Sequence, residues 1–154
     1  MYHKILVALD RRAIADKVFE TALYLGKSFH AELNLVNILS LDVATNTIGL
    51  TPFTVNYEAQ LLEEAEEESH RKRQKSLENL QYLVKQAQQE KISAIYTQLY
   101  GDPGKAICEQ ADAWGADLIL MGRRGHSQVS EIFLGSVSSY VIHHCHTAVH
   151  LVQI

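Results

Sequence analysis

No apolar run in this 154-residue chain approaches the roughly 20 residues that a helix needs to cross a bilayer, which excludes a membrane span. The early run Ile5-Leu6-Val7-Ala8-Leu9 is too brief for a signal-peptide core, and no small-residue cleavage site follows it. A cytoplasmic protein is therefore expected. Cysteine is scarce. Cys108 and Cys145 are the only two, neither lies in a Cys-x-x-Cys pattern, and both are expected to be free thiols of a reducing compartment. A basic excess is also missing: 14 Lys and Arg against 18 Asp and Glu give a formal charge of −4, which argues against a general nucleic-acid binder. No internal repeat or low-complexity tract interrupts the chain.

What is present is ordinary globular material. Hydrophobic residues make up 47% and charged residues 21% of a chain near the commonest domain size, so one domain spanning residues 1–154 is expected. The run Ile5 to Leu9 suits a strand buried on both faces of a parallel sheet. Ile14, Val18, Ala22, Leu25 and Phe29 then recur at spacings of three and four, one apolar stripe of a helix. A second strand follows at Leu33 to Leu39. From Ser40 to Asn56 the composition is that of a long connecting loop.

Residues Glu58 to Lys91 read as a long helix. Its acidic run Glu63 to Glu68 precedes Arg71, Lys72, Arg73 and Lys75, and Glu67/Arg71 and Glu68/Lys72 stand four apart in the favourable order, each pair worth about 0.2–0.5 kcal/mol. That half reads as a solvated face, with a partner-binding surface as the alternative. Leu77, Leu80, Val84 and Ala87 carry the buried stripe of the other half. Ile95 to Tyr100 alternates as a strand, and Gly101-Asp102-Pro103-Gly104 turns into a helix running to Trp114 with Gly115 as its C-cap. Asp117 opens a strand through Leu118 to Met121, residues 133–144 look helical, and Val149 to Ile154 forms a last strand. Such alternation implies right-handed crossovers and an open, mostly parallel α/β sheet with helices on both faces.

The chemistry concentrates where the fourth strand ends. Gly122-x-x-Gly125, nine residues, and then Gly135-Ser136 open a helix. Glycines let a backbone bend into positive φ and let a phosphate approach without meeting a Cβ atom. A helix N-terminus adds unpaired N–H groups and the positive end of its dipole. The plainer alternative is that these glycines only end a strand and cap a helix. Their position at a strand's carboxyl end, like that of Asp10, favours a ligand, since open α/β sheets bind ligands outside those ends where the strand order reverses.

These residues carry a resemblance that covers essentially the whole chain. Ile5-Leu6-Val7-Ala8-Leu9-Asp10, Gly101-Asp102-Pro103, Asp117-Leu-Ile-Leu-Met-Gly122-Arg-Arg-Gly125-His-Ser127 and Leu134-Gly135-Ser136-Val137-Ser138 are similar to the universal stress protein family, of the ATP-binding kind, with the spacing Gly-x2-Gly-x9-Gly-[Ser/Thr] intact. The resemblance implies a Rossmann-like five-stranded parallel sheet of order 3-2-1-4-5 and a homodimer joined through the last strand. It implies ATP, or AMP or ADP, with or without Mg2+. Asp10 would reach the adenine or ribose side, Ile38 would line the adenine and Gly122 would lie near the ribose. Gly125, Gly135, Ser136 and Val137 would hold the phosphates, with Met121, Arg124 and Ser127 completing the nucleotide-binding set. Two departures stand out. Arg11-Arg12 follows the first Asp where many members have a small residue, and His146-Thr147-Ala148-Val149 replaces the usual Cys-Pro-Val before the last strand.

Other constellations have plainer readings. Asp10 alone could cap the following helix, a job worth about 1 kcal/mol. Arg11, Arg12, Arg123 and Arg124 are exposed by default, although together they would make a guanidinium rim suited to phosphate. His143, His144, Cys145, His146 and His150 form the one metal-like cluster, yet adjacent helical histidines point apart and suit a helix C-terminus. Cys108 lies mid-helix with no nucleophile signature around it. No Gly-x4-Gly-Lys-[Ser/Thr] loop and no kinase-type set is present, so the expected role is a nucleotide-binding, stress-response regulator that reports to a protein partner. A slow Mg2+-dependent ATPase and a nucleotide-free dimerising scaffold remain the alternatives.

Overall fold

Three strands with unbroken buried runs form the centre of one sheet, and two partly exposed strands form its edges. The structure, a computed structural model, describes residues 1–9, 14–39, 55–123 and 135–153. In chain order the elements are β1 (Lys4–Ala8), α1 (Ile14–Phe29), β2 (Glu32–Leu39), α2 (Val55–Gln89), β3 (Ala94–Tyr100), α3 (Pro103–Trp114), β4 (Leu118–Gly122), α4 (Ser136–His144) and β5 (Ala148–Val152). All strand pairings are parallel and the order is β3-β2-β1-β4-β5. The expected architecture and strand order are thus observed. The expected helix stripe through Ile14 rests partly on a side chain outside the described residues, as does most of the expected 40–56 loop.

Alternation along the central strands sorts the helices into two layers. Ile5 and Val7 of β1, Leu33 and Leu35 of β2, and Leu118 and Leu120 of β4 pack with Val18, Phe19 and Ala22 of α1 and Leu80, Val84 and Ala87 of α2. Leu6, Val36, Ile119 and Met121 point the other way, against Ile107 and Ala111 of α3 and Val141 of α4. Burying both faces explains why β1 and β4 read as nearly continuous apolar runs, while β2 carries the buried Asn34 and Asn37 within its own.

Local chemistry ends the elements. The Asp102 carboxylate accepts from the Lys105 backbone N–H at 2.9 Å and Pro103 takes the first turn, while Gly115 closes α3 at φ 72°. Asp117 lies just outside β4. Its carboxylate accepts from the backbone N–H groups of His3 (2.8 Å) and Lys4 (2.9 Å), which locks the start of β1 beside the start of β4. Strand and helix ends differ from expectation by one to three residues, because pairing partners set them. β1 starts at Lys4, β5 stops at Val152, and α2 begins at Val55, inside the segment expected to be loop.

Two findings alter the sequence picture. Cys108 and Cys145 are not free: they form a disulfide with their Cα atoms 5.3 Å apart, tying the middle of α3 to the C-cap of α4. A sequence separation of 37 carries no signal of this, since helix packing alone brings them together. In α2 the buried register includes Ser76, which donates to the Asn37 side chain at 2.6 Å, while Leu77 is only half-buried.

Candidate functional site

The strand order reverses between β1 and β4. From β1 the chain crosses to β2 on one side, whereas β4 returns on the other, and this leaves a crevice at the carboxyl ends of the two strands. The register sets Ala8 beside Met121, so Leu9, the residue after β1, and Gly122, the last residue of β4, lie at the same level. Leu9 is firmly held. Its N–H donates to the Val36 carbonyl at 2.8 Å and its carbonyl accepts from Asn37 Nδ2 at 3.0 Å. With Ser76 donating to the other side of the same amide, a buried polar clamp fixes the end of β1 against β2 and α2.

The opposite wall is the start of α4. Because β4 ends and parallel β5 begins at opposite edges of the sheet, α4 must start at the carboxyl edge and run back. Gly135 is its N-cap and contributes no side-chain hydrogen bond, and its first turn holds no acidic residue. The leading N–H groups of Ser136, Val137 and Ser138 have no acceptor within the helix. Ser138 Oγ instead donates to the Gly135 carbonyl at 2.9 Å, so that hydroxyl is turned inward, while Ser136 is exposed. An uncapped helix start of this kind attracts anions.

Besides the packing of Val141 with Ile107 and Ala111, two further contacts hold α4 against α3. Gly104 lies under the ring of Tyr140, and the Cys108–Cys145 disulfide joins the far end. Tyr140 also stacks on His144 with ring centroids 4.0 Å apart, and His144 Nδ1 lies 2.9 Å from the Tyr140 carbonyl. His144 therefore engages the end of α4; among the described residues no group of three or more His, Cys, Asp or Glu gathers as a metal site.

Of the residues expected at the site, Gly122, Gly135, Ser136 and Val137 stand at the carboxyl edge of β4 and the start of α4. Ile38 sits near the carboxyl end of β2, half-buried and paired in register with Leu99. Met121 is only 5% exposed and packs in the core under α4, so its side chain belongs to the layer beneath the crevice. Asp10, Arg11, Arg12, Arg124, Gly125 and Ser127 lie outside the described residues. Sequence reasoning missed Asn37 and Ser76. The available signal was Asn37 within the largely apolar β2 and Ser76 at helical spacing from Leu80. Arg123, noticed only as part of a rim, donates its N–H to the Val152 carbonyl at 2.8 Å, and its Nε is buried without an acceptor.

A parallel sheet flanked by two helix layers, with an uncapped helix start and a glycine-ended strand at the reversal of strand order, defines the doubly wound α/β class. The family model described as "Universal stress protein family" matches residues 1–153, and the chain belongs to that family. Universal stress protein Sll1388 of Synechocystis is 36% identical over 155 residues, covering 99% of this chain and 98% of the relative. The solved structure of hypothetical protein MJ0577 shares the fold at a TM-score of 0.78 with 21% identity, covering 100% of this chain and 97% of that one. A family protein from Arabidopsis thaliana, solved with AMP bound, shares it at 0.64 with 18% identity, covering 98% and 91%. A universal stress protein in complex with cAMP does so at 0.62 with 19% identity, covering 99% and 97%. Among the described residues no helix is long and apolar enough to cross a membrane.

Proposed function

We propose that this chain binds an adenine nucleotide, ATP or its relatives AMP and ADP, with or without Mg2+, in the crevice between β1 and β4. The observation that carries the reading is the uncapped start of α4 at the reversal of strand order, beside the glycine that ends β4. A phosphate fits the donors there: the leading amides of α4, which no side chain of a described residue caps, and the exposed Ser136 hydroxyl. The AMP and cAMP held by two structural neighbours support an adenine ligand.

In this proposal Gly125, Gly135, Ser136 and Val137 hold the phosphates with Arg124 and Ser127. Gly122 lies near the ribose, Asp10 reaches the adenine or ribose side, and Ile38 lines the adenine. The bound state signals stress to a protein partner. Homodimerisation uses β5, a sheet edge whose outward backbone groups are free to pair with a second copy.

Titration calorimetry with ATP, AMP and adenosine tests this. ATP and AMP are expected to bind, and Arg124→Ala is expected to weaken ATP more than adenosine. Absence of binding by all three at millimolar concentration sinks the proposal. Phosphate release with Mg2+ that disappears in Gly125→Ala would instead identify the slow ATPase.

A further inference from the structure

Helix α2 is about 52 Å long at 1.5 Å per residue, yet among its described side chains only those of the second half pack on the sheet. Every side chain from Gln60 to Lys75 is exposed, and burial begins at Ser76. Arg73 marks the last contact, its carbonyl accepting from Gln98 and its guanidinium 5.6 Å from the Tyr100 ring centre. Both residues belong to the carboxyl half of β3, so the leading half of α2 stands beyond the carboxyl edge of the sheet.

Beside the favourable Glu67/Arg71 and Glu68/Lys72 spacings, its charges include like pairs. Glu63/Glu67, Glu64/Glu68 and Arg71/Lys75 each place like charges four apart, where they repel. Glu68 escapes because Lys72 pairs with it at 2.8 Å and Arg71 lies close, which holds its carboxyl below the usual range. Among the described residues Glu63, Glu64, Glu66, Glu67 and Lys75 have no ion-pair partner. At about 100° per residue, Glu64, Glu68, Arg71 and Lys75 fall within an arc of roughly 60°, on the side away from buried Ser76, Leu80, Val84 and Ala87. One outward stripe thus reads acid, acid, base, base.

Such a stripe is complementary to itself when reversed. We propose that the outward face of α2 pairs antiparallel with the same face of a second copy of this chain. A two-fold axis passes between Ser69 and His70, with Glu64 facing Lys75 and Glu68 facing Arg71 across it. The two-fold makes the contact isologous, each pair occurring twice. Its surface lies on α2 and is separate from the β5 edge, and the pairing requires no nucleotide.

Sedimentation of the full chain tests the assembly. At low ionic strength the wild type is expected at no less than twice the mass that it shows near 1 M salt, where the Debye length is about 3 Å. Glu64→Lys with Glu68→Lys makes the stripe wholly basic, and Arg71→Glu with Lys75→Glu makes it wholly acidic. Each double variant alone is expected at the lower mass, and their equimolar mixture at the higher. A wild-type mass that ignores salt and matches both variants overturns the proposal, and it would do so if a different protein were the true occupant. Disulfide trapping reads the register without relying on charge. A mixture of Glu64→Cys and Lys75→Cys proteins is expected to cross-link under mild oxidation. Neither alone should, because two copies of residue 64 would lie about 16 Å apart along the pair. No cross-link in the mixture, or equal cross-linking in the single variants, also overturns it.

Discussion

Gly104 on α3 lies so close to Tyr140 on α4 that a Cβ placed on it would stand 2.7 Å from Cδ1, 2.8 Å from Cγ and 2.9 Å from Cβ of that tyrosine. The last two atoms are at the root of the side chain and cannot swing aside, so a methyl group here must move α4 itself. Gly104→Ala is expected to destabilise the fold by about 1–2 kcal/mol: overpacking costs about 1–3 kcal/mol, partly offset by better helix propensity. Thermal unfolding reads the loss. In a Tyr140→Ala background the loss should shrink without vanishing, because the two ring contacts go while the 2.9 Å contact with the Cβ of residue 140 stays; an equal loss in both backgrounds would remove the ring from the explanation. Because α4 supplies the proposed phosphate wall, Gly104→Ala should also weaken ATP binding.

The Cys108–Cys145 bridge closes a loop of 37 residues. In the chain-entropy account a loop of that length constrains the unfolded state by about 3–4 kcal/mol. Cys108→Ser and chemical reduction are each expected to lower the melting temperature by a similar amount. Thiol titration of the unfolded, unreduced protein should find no reactive cysteine. Two reactive thiols, with no change in melting on reduction, would refute the bridge.

The Ser76 hydroxyl donates to Asn37, which in turn holds the carbonyl of Leu9. Ser76→Ala leaves the buried Asn37 oxygen without a donor and is expected to cost about 1–3 kcal/mol. Urea unfolding midpoints measure it. Replacement of an exposed residue on the same helix, such as Lys85→Ala, should change stability by under about 0.5 kcal/mol.

Asp117 gives a pH signature. Hydrogen bonds from the backbone N–H groups of His3 and Lys4 hold its carboxyl below the ordinary 3.8. Its folded-state value is therefore lower than its unfolded one, and the unfolded chain binds more protons between the two. The stabilisation is fully present above pH 3.8 and is lost as pH falls through the depressed value. Asp117→Asn should unfold earlier in denaturant than the wild type near neutrality, and the gap should narrow as pH drops below that range. A gap independent of pH would assign the loss to something other than the charge.

Much of the fold is written locally. Ile5 to Val7, Leu33 to Val36 and Leu118 to Met121 must be buried on both sides because no polar residue alternates with most of them, and that alone demands helices on both faces. Asp102, Pro103 and Gly115 bound α3 through contacts within a few residues. Gly122, Gly135 and Ser136 could be read as one constellation because their spacing survives in the linear chain, and the family resemblance rests on the same residues.

The sequence by itself therefore determined the class of the fold, the family and the glycine-bearing edge on which a ligand site would lie, since periodicity and spacing are short-range properties. Only the tertiary structure decided that Cys108 meets Cys145, that Ser76 completes Asn37, that Tyr140 needs a glycine beneath it and that the leading half of α2 overhangs the sheet. Each of these depends on where two helices, or a helix and the sheet, come to rest. Partners 36 to 39 residues apart leave no periodic trace of one another, and packing alone brings them within bonding distance.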